Sequence, residues 1–266
     1  MAAPLSIVVF GAHPDDADIK AGGTAARWAD RGDRVLFVSL TNGDAGHQEM
    51  DRAPLAERRR LEAEAAARVL GVHVRVLDNH DGELQPTLAL RQAIIGILRE
   101  ARADLVLLPR PWDYHPDHRA TAQVVQDAAY MVTVPHALPG SPHLARNPVF
   151  AYVRDRFTRP CAFRPDVVVD ISAVAQRKLR ALHCHASQVY EWLPYNAGRL
   201  LDVPTDDRER LVWLAHWLEA DRETAERARD RAGAPADAAM YAEAFEICEL
   251  GRMPDASEIA RLFPLP

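Results

Sequence analysis

The amino-acid sequence predicts an α/β fold, with a Rossmann-like, doubly wound, mostly parallel sheet and a helical C-terminal part. Two observations support this prediction. Strand-like and helix-like segments alternate four times over the first 130 residues, a pattern typical of βαβ units. At 266 residues and 48% hydrophobic composition, the chain can also form one sizeable core. We therefore expect a single domain over residues 1–266, with its core at about 5–195 and a helical extension at about 205–250.

In the first half of the chain, short apolar runs predict strands and longer Ala-, Glu- and Arg-rich stretches predict helices. The predicted strands are Leu5–Phe10, Arg34–Leu40, Val72–Leu77 and Asp104–Leu108. The predicted helices between and after them are Lys20–Arg31, Pro54–Leu70, Thr87–Ala101 and Asp117–Met131. Gly32 and Gly71 are expected to end the first two helices, because glycine readily adopts the left-handed conformation found there.

The second half of the chain is less regular, with a proline-rich region after residue 135. Val149–Val153 and Val167–Ile171 are predicted strands, and Ser172–Ser187 is a predicted helix capped by the Ser172 hydroxyl. Two further helices are predicted at Asp206–Arg231 and Ala236–Leu250. These two helices form the expected C-terminal extension.

The composition argues against several classes of protein. A net charge of −6 disfavours nucleic-acid binding, which usually requires a basic face. The three cysteines are far apart, without CxxC spacing, and this odd, sparse count suits a reducing compartment without a disulfide framework. The N-terminal segment lacks the basic and long apolar parts of a signal peptide, and no apolar stretch is long enough for a membrane span. We expect a cytoplasmic protein.

Two polar clusters follow predicted strands one and four. Residues 11–18 (GAHPDDAD) place one imidazole and three carboxylates directly after the first strand, and residues 112–118 (WDYHPDH) follow the fourth. Strands one and four are neighbours in the common doubly wound order, and ligands bind at the carboxyl edge of such sheets. We therefore expect the two clusters to face one crevice.

The residue types in these clusters fit a metal-dependent hydrolase. Either cluster alone is typical of a turn with a capping aspartate, but both together after parallel strands favour a functional site. Two histidines and one aspartate make an open zinc site with room for water. Zinc lowers the pKa of such a water to about 7, so a nearby carboxylate can accept its proton. A second imidazole can stabilise the oxyanion that forms.

The paired motifs AHPDDAD and HPDH resemble those of the PIG-L/LmbE superfamily of zinc-dependent de-N-acetylases. The resemblance covers about residues 5–195. It implies a PIG-L/LmbE-like domain in which zinc is bound by His13, Asp16 and His118. The superfamily motif usually ends in Glu, where this chain has Asp18.

The same resemblance implies roles for residues around the metal. Asp15 would be the general base. His115 would stabilise the oxyanion and could protonate the leaving amine, with Asp117 tuning it. Arg59 matches a superfamily arginine that contacts the sugar-like substrate.

Three further residues are candidates for substrate binding because they lie near the same sheet edge. Asp44 and Asp81 lie in the loops that follow predicted strands two and three, and Arg110 opens the second motif. The alternatives are a polar surface loop for Asp44, an Asp-Gly turn for Asp81 and an ordinary surface arginine for Arg110.

The resemblance implies a hydrolase that removes an N-acetyl group from an amino sugar of the N-acetylglucosamine type. Zinc is the expected metal, although two histidines and an aspartate also accept iron(II), cobalt or manganese. The expected partner is a small-molecule amino sugar, without nucleic acid or membrane, and a homo-oligomer is compatible with the aromatic C-terminal part.

Other functions stay open from the sequence. The same site could serve an amidase that acts on a thiol conjugate or on an acylated natural-product intermediate. A non-catalytic, zinc-containing sugar-binding protein is an alternative of another class, although it leaves Asp15 without a role. A metal phosphoesterase is a further alternative, but such enzymes often use two metals and the sequence offers ligands for one. A nucleotide-binding Rossmann protein is disfavoured, because no GxGxxG follows the first strand.

Overall fold

The centre of the computed structural model, which describes residues 3–232 and 240–265, is a seven-stranded sheet. Its strands are β1 (Ser6–Gly11), β2 (Arg34–Ser39), β3 (His73–Val76), β4 (Leu105–Leu108), β5 (Val149–Val153), β6 (Val167–Asp170) and β7 (Ala242–Cys248). The strand order is β3-β2-β1-β4-β5-β7-β6. Strands β1 to β5 pair in parallel, and β7 pairs antiparallel with both β5 and β6. The predicted α/β, mostly parallel fold is confirmed.

Helices cover both faces of the sheet. They are α1 (Asp16–Arg31), α2 (Arg52–Leu70), α3 (Leu88–Ala101), α4 (Pro116–Met131), α5 (Ala175–Cys184), α6 (Leu193–Asn196), α7 (Asp207–Trp213), α8 (Glu219–Ala232) and α9 (Ala256–Leu262). Short 3₁₀ turns lie at Pro135–Ala137, Ser172–Val174, Leu200–Asp202 and Leu214–Leu218, and a π-helical segment lies at Ser187–Trp192. No helix among the described residues combines the length and apolarity needed to cross a membrane.

Strand β1 is buried on both faces, which explains its continuous apolar sequence. Successive side chains of a strand point to opposite faces. Accordingly, Ile7 and Val9 pack in a core cluster with α1, α2 and α9, whereas Val8 and Phe10 pack with α3 and α4. Burial of this strand fixes the position of its carboxyl end, from which the first polar motif continues.

The last strand differs from the prediction. A helix was expected over Ala236–Leu250, but Ala242–Cys248 form β7, and residues 233–239 lie outside the described residues. The Ala- and Glu-rich sequence favours a helix by local propensity, whereas pairing with β5 and β6 decides the conformation. The C-terminal part is therefore not purely helical, because it completes the sheet.

Two predicted helices are also shorter than expected. The region Asp206–Arg231 is divided into α7 and α8 by the 3₁₀ turn at Leu214–Leu218. The helix predicted over Ser172–Ser187 is observed as α5, Ala175–Cys184, and Ser172 does not cap it. Its hydroxyl donates to Asp170 and accepts the backbone N–H groups of Met240 and Tyr241, so it joins β6 to the start of β7 instead.

A buried ion cluster attaches β7 to the helices. The ammonium group of Lys178 on α5 lies 2.6 Å from Asp221 on α8 and 2.8 Å from Glu243 on β7. The other oxygen of Glu243 accepts the backbone N–H of Thr24 in α1 at 2.7 Å. Burial lowers the pKa of Lys178, but the two carboxylates outweigh that effect and raise it above its ordinary value. The cluster therefore depends on one positive charge.

We expect Lys178→Met to destabilise the fold by about 3–5 kcal/mol, because it leaves two buried carboxylates without their cation. The free energy of unfolding in urea measures this effect. Arg180→Met, at an exposed position on the same helix, is the matched control and should change stability by about 0.5 kcal/mol or less. Equal stability of the two variants would contradict the structural importance of the cluster.

Candidate metal centre

The two polar motifs lie at the amino ends of two helices that follow neighbouring strands. Helix α1 begins at Asp16, four residues earlier than predicted, and α4 begins at Pro116, with His115 as its N-cap residue. A side chain at Gly11 would not fit, since a Cβ there would lie 2.6 Å from the Asp16 Cβ. The glycine that ends β1 thus allows α1 to start close against the strand.

Three ligand-type atoms form a tight triangle between the motifs. Nδ1 of His13 and Nε2 of His118 are 3.2 Å apart. The Asp16 Oδ2 atom lies 3.5 Å from the first and 3.4 Å from the second. A tetrahedral zinc ion with ligands at 2.0–2.1 Å has ligand–ligand separations of about 3.3 Å. The three residues predicted as ligands therefore fit such an ion.

A carboxylate lies behind each of the two imidazoles. Asp81 Oδ1 lies 3.1 Å from Nε2 of His13, and Asp113 Oδ2 lies 3.1 Å from Nδ1 of His118. Each carboxylate accepts a proton from the ring nitrogen that faces away from the triangle, so the facing nitrogen keeps its lone pair. This carboxylate–histidine arrangement is common in metal sites, where it orients the ligand.

The electrostatics of the triangle favour a cation. Burial lowers the pKa of His13, but hydrogen bonds to Asp117, Asp16 and Asp81 outweigh it and hold the pKa well above its ordinary value. Burial also lowers the pKa of His118, yet the charge of Asp16 and a hydrogen bond to Asp113 raise it overall. A divalent cation would supply the positive charge that these carboxylates favour.

His13 also belongs to two other groups whose possible ligand atoms lie within 4.8 Å of one another. One group adds His115 and His118, and the other adds Asp81, His115 and Asp117. Both groups require His115, whose Nδ1 accepts the backbone N–H of Asp117 at 3.2 Å. The neutral ring then carries its proton on Nε2 and has no free lone pair for a metal. The triangle with Asp16 is the better ligand set.

Asp15 and Arg59 form a buried ion pair beside the triangle. The Nη2 group of Arg59 donates to Asp15 Oδ1 at 2.9 Å, and the Nη1 group of Arg59 donates to the carbonyl of Gly43 at 3.0 Å. Only 2% of Arg59 is exposed. Both residues border the central cavity, and the substrate contact that the resemblance implies for Arg59 stays a prediction.

Asp117 is fully buried and braces the turn that carries Asp81. Its two carboxylate oxygens accept the backbone N–H groups of Gly82 and Leu84, and one lies 3.5 Å from Nε2 of His13. The carboxylate thus supports His13 and its neighbouring loop, whereas its backbone N–H reaches the ring of His115. Burial and the charges of His13 and His118 lower the pKa of His115.

The triangle opens into a cavity of about 540 Å³. Its walls include Asp15, Arg59, Asp81 and His115, together with residues to which the sequence analysis gave no role at the site: Lys20, Asp113, Tyr114, Phe157, Gln188, Trp192 and Trp217. The volume suits a small organic ligand. The aromatic side chains supply apolar surface of the kind that sugar rings stack on.

Three residues named in the sequence analysis, Asp18, Asp44 and Arg110, do not line this cavity. Asp44 binds His80 and the backbone N–H of Asp81, so it supports the Asp81 turn. Arg110 pairs with both oxygens of Asp155, at 2.7 and 2.6 Å, and donates to two backbone carbonyls. Asp18 lies 3.3 Å from Nε2 of buried His185, behind the site. Substrate binding by Asp44 and Arg110 stays a prediction without support from these contacts.

Comparison with known proteins identifies the family. A family model described as "PIG-L: GlcNAc-PI de-N-acetylase" matches residues 8–129. The chain is 34% identical to the diacetylchitobiose deacetylase of Thermococcus kodakarensis over 69% of this chain and 72% of that protein. The chain belongs to the PIG-L family. The resemblance of the two motifs is thereby confirmed.

Two further comparisons extend this result. The solved structure of N,N'-diacetylchitobiose deacetylase from Pyrococcus horikoshii superimposes with a TM-score of 0.73 at 26% identity, covering 92% of this chain and 84% of that one. A 4-oxalmesaconate hydratase of Pseudomonas putida is 30% identical over 71% of this chain and 76% of its own length. The relatives of this chain thus include both deacetylases and a hydratase.

We expect Asp113→Asn to weaken zinc binding by about 10-fold or more, because outer carboxylates that orient ligand histidines typically contribute 10–100-fold to affinity. Competition with a fluorescent chelator measures the dissociation constant. Asp127→Asn, on the helix that carries His118, is the matched control, since Asp127 accepts only from Gln123 among the described contacts of its side chain. Unchanged affinity in Asp113→Asn, or an equal loss in both variants, would contradict the proposed orientation of His118.

Proposed function

We propose that this PIG-L protein is a zinc-dependent hydrolase that removes the N-acetyl group from an amino sugar of the N-acetylglucosamine type. One observation carries the proposal: the predicted ligands His13, Asp16 and His118 border the same cavity as Asp15 and His115. Metal ligands, a carboxylate and an imidazole donor are the groups that amide hydrolysis requires. The deacetylase relatives support the same reaction class.

His13, Asp16 and His118 would hold the metal. When bound, zinc acts as a Lewis acid that polarises a carbonyl and acidifies water. Asp15 is positioned to accept the proton of the attacking water, because one of its oxygens is held by Arg59 and the residue borders the cavity. The ion pair fixes the orientation of the carboxylate.

His115 would stabilise the oxyanion formed on the acetyl carbonyl. Its Nδ1 is occupied by the N–H of Asp117, so its Nε2–H is available to donate into the cavity. In the balanced reaction, water adds to the carbonyl carbon and the amide C–N bond breaks. The proton accepted by Asp15 passes to the leaving nitrogen, which gives acetate and a free amine.

Addition of water to a carbon–carbon double bond is a second candidate. The hydratase relative favours it, because that protein shares 30% identity over most of both chains. Acetate release distinguishes the two reactions, since hydration releases nothing. The amidase alternatives would instead release a different acid or a thiol-conjugate fragment.

Zinc, rather than another divalent metal, is part of the proposal. The cytoplasmic location and the homo-oligomer stay predictions from the sequence. So do the single domain and the individual catalytic roles.

We expect zinc-loaded protein to release acetate from N-acetylglucosamine or N,N'-diacetylchitobiose, and chelator-treated protein to release none.

Asp15→Asn should lower kcat by about 10²–10⁴-fold while zinc remains bound, because it removes the general base. Asp51→Asn, at the exposed N-cap position of α2, is the control. A loss below about tenfold would contradict the role of Asp15. Consumption of added 4-oxalmesaconate, without acetate release from any sugar, would favour the hydratase reaction.

A further inference from the structure

A second cavity of about 690 Å³ adjoins the catalytic one. The segment Asp155–Phe157, which follows β5, borders both cavities. Helix α8, Val168 of β6 and Ala244 of β7 also line the second cavity. The second cavity lies within the size range of small-molecule sites. It is therefore placed to receive the part of a substrate that extends beyond the reacting group.

The charged groups of this second cavity are mostly positive. Arg154, Arg156 and Arg227 line it, together with Glu223 and Asp155. Asp155 is already paired with Arg110, at 2.6 Å, so its charge is compensated from outside the cavity. Three arginines against the remaining Glu223 leave an excess of two positive charges.

Contacts among these groups agree with that excess. Glu223 is shared, since its Oε2 lies 3.1 Å from Arg154 and 3.5 Å from Arg156. Burial lowers the pKa of Arg154, and the charges of Arg156 and Arg227 lower it further, against the opposing effect of Glu223. One carboxylate thus serves more than one guanidinium group, and the site favours a further anion.

The residues that line this cavity lie outside the segment matched by the family model. Its lining residues lie between 154 and 244, whereas the family model matches residues 8–129. Phe157 and Phe163 add apolar surface beside the arginines. A carbon skeleton that carries an anionic group would satisfy both kinds of contact.

We propose that the second cavity binds a carboxylate or phosphate group carried by the substrate beyond its N-acetylated sugar. This inference rests on the proposed deacetylase function and narrows its substrate class to anionic amino-sugar conjugates. Guanidinium groups bind carboxylate and phosphate through the same paired N–H donors, so both anions fit the site.

Paired substrates test the proposal. The anionic probes are N-acetylglucosamine 1-phosphate and N-acetylglucosaminides of short hydroxy acids, and the neutral probe is the methyl glycoside. We expect kcat/KM for the better anionic probe to exceed that for the neutral one by about tenfold. Arg227→Gln should reduce this ratio about tenfold, because the loss of one hydrogen bond to a charged group corresponds to about a tenfold change in binding.

Two variants of the same helix complete the experiment. Glu223→Gln should raise the ratio, because it removes the carboxylate that competes with the substrate anion. Arg222→Gln alters an exposed arginine outside the cavity and should leave the ratio unchanged. A ratio near one in the wild type, or equal ratios in the wild type, Arg227→Gln and Glu223→Gln, would overturn the proposal while acetate release still supports the deacetylase.

A binding measurement separates failure of the inference from failure of the proposed function. Titration calorimetry with N-acetylglucosamine 1-phosphate compares zinc-loaded wild type with Arg227→Gln. Binding that weakens in the variant, without acetate release from any sugar, would support the anion site and reject the deacetylase. Absence of both binding and acetate release would reject both.

Discussion

The Oδ2 atom of Asp16 is the point at which the two halves of the site meet. It accepts the backbone N–H groups of Ala12 and His13, which fix it to the end of β1. The same atom faces one imidazole from each motif. Burial raises the pKa of Asp16, but the charge of His118 and contacts with His13 outweigh that effect and hold the pKa far below its ordinary range. A carboxylate kept ionised in such a place requires a nearby positive charge.

Three sets of contacts hold the two motifs and the metal-ligand side chains in place. Pairing of β1 with β4 brings the two motifs together. Asp81 and Asp113 then orient the two imidazoles from behind, and Asp44 and Asp117 hold the Asp81 turn through backbone N–H groups. Much of the polar network therefore acts on the metal ligands indirectly, and only a small set of groups faces the cavity.

The sequence predicted the sheet, the adjacency of β1 and β4 and the two motifs, because each depends on local pattern and on general topology rules. The contacts of Asp113 and Arg59 could not be predicted, since they depend on side-chain directions across separate elements. Strand β7 was missed because Ala and Glu favour helices locally, while its pairing partners lie far away in the sequence. For Trp192 and Trp217, aromatic spacing does not distinguish a core position from a cavity wall.

We propose that one metal ion is held by His13, Asp16 and His118. Anomalous diffraction from zinc-loaded crystals would locate this ion. We expect one strong peak about 2.0–2.2 Å from His13 Nδ1, Asp16 Oδ2 and His118 Nε2. A peak coordinated by His115 in place of Asp16, or no peak between the two motifs, would contradict it.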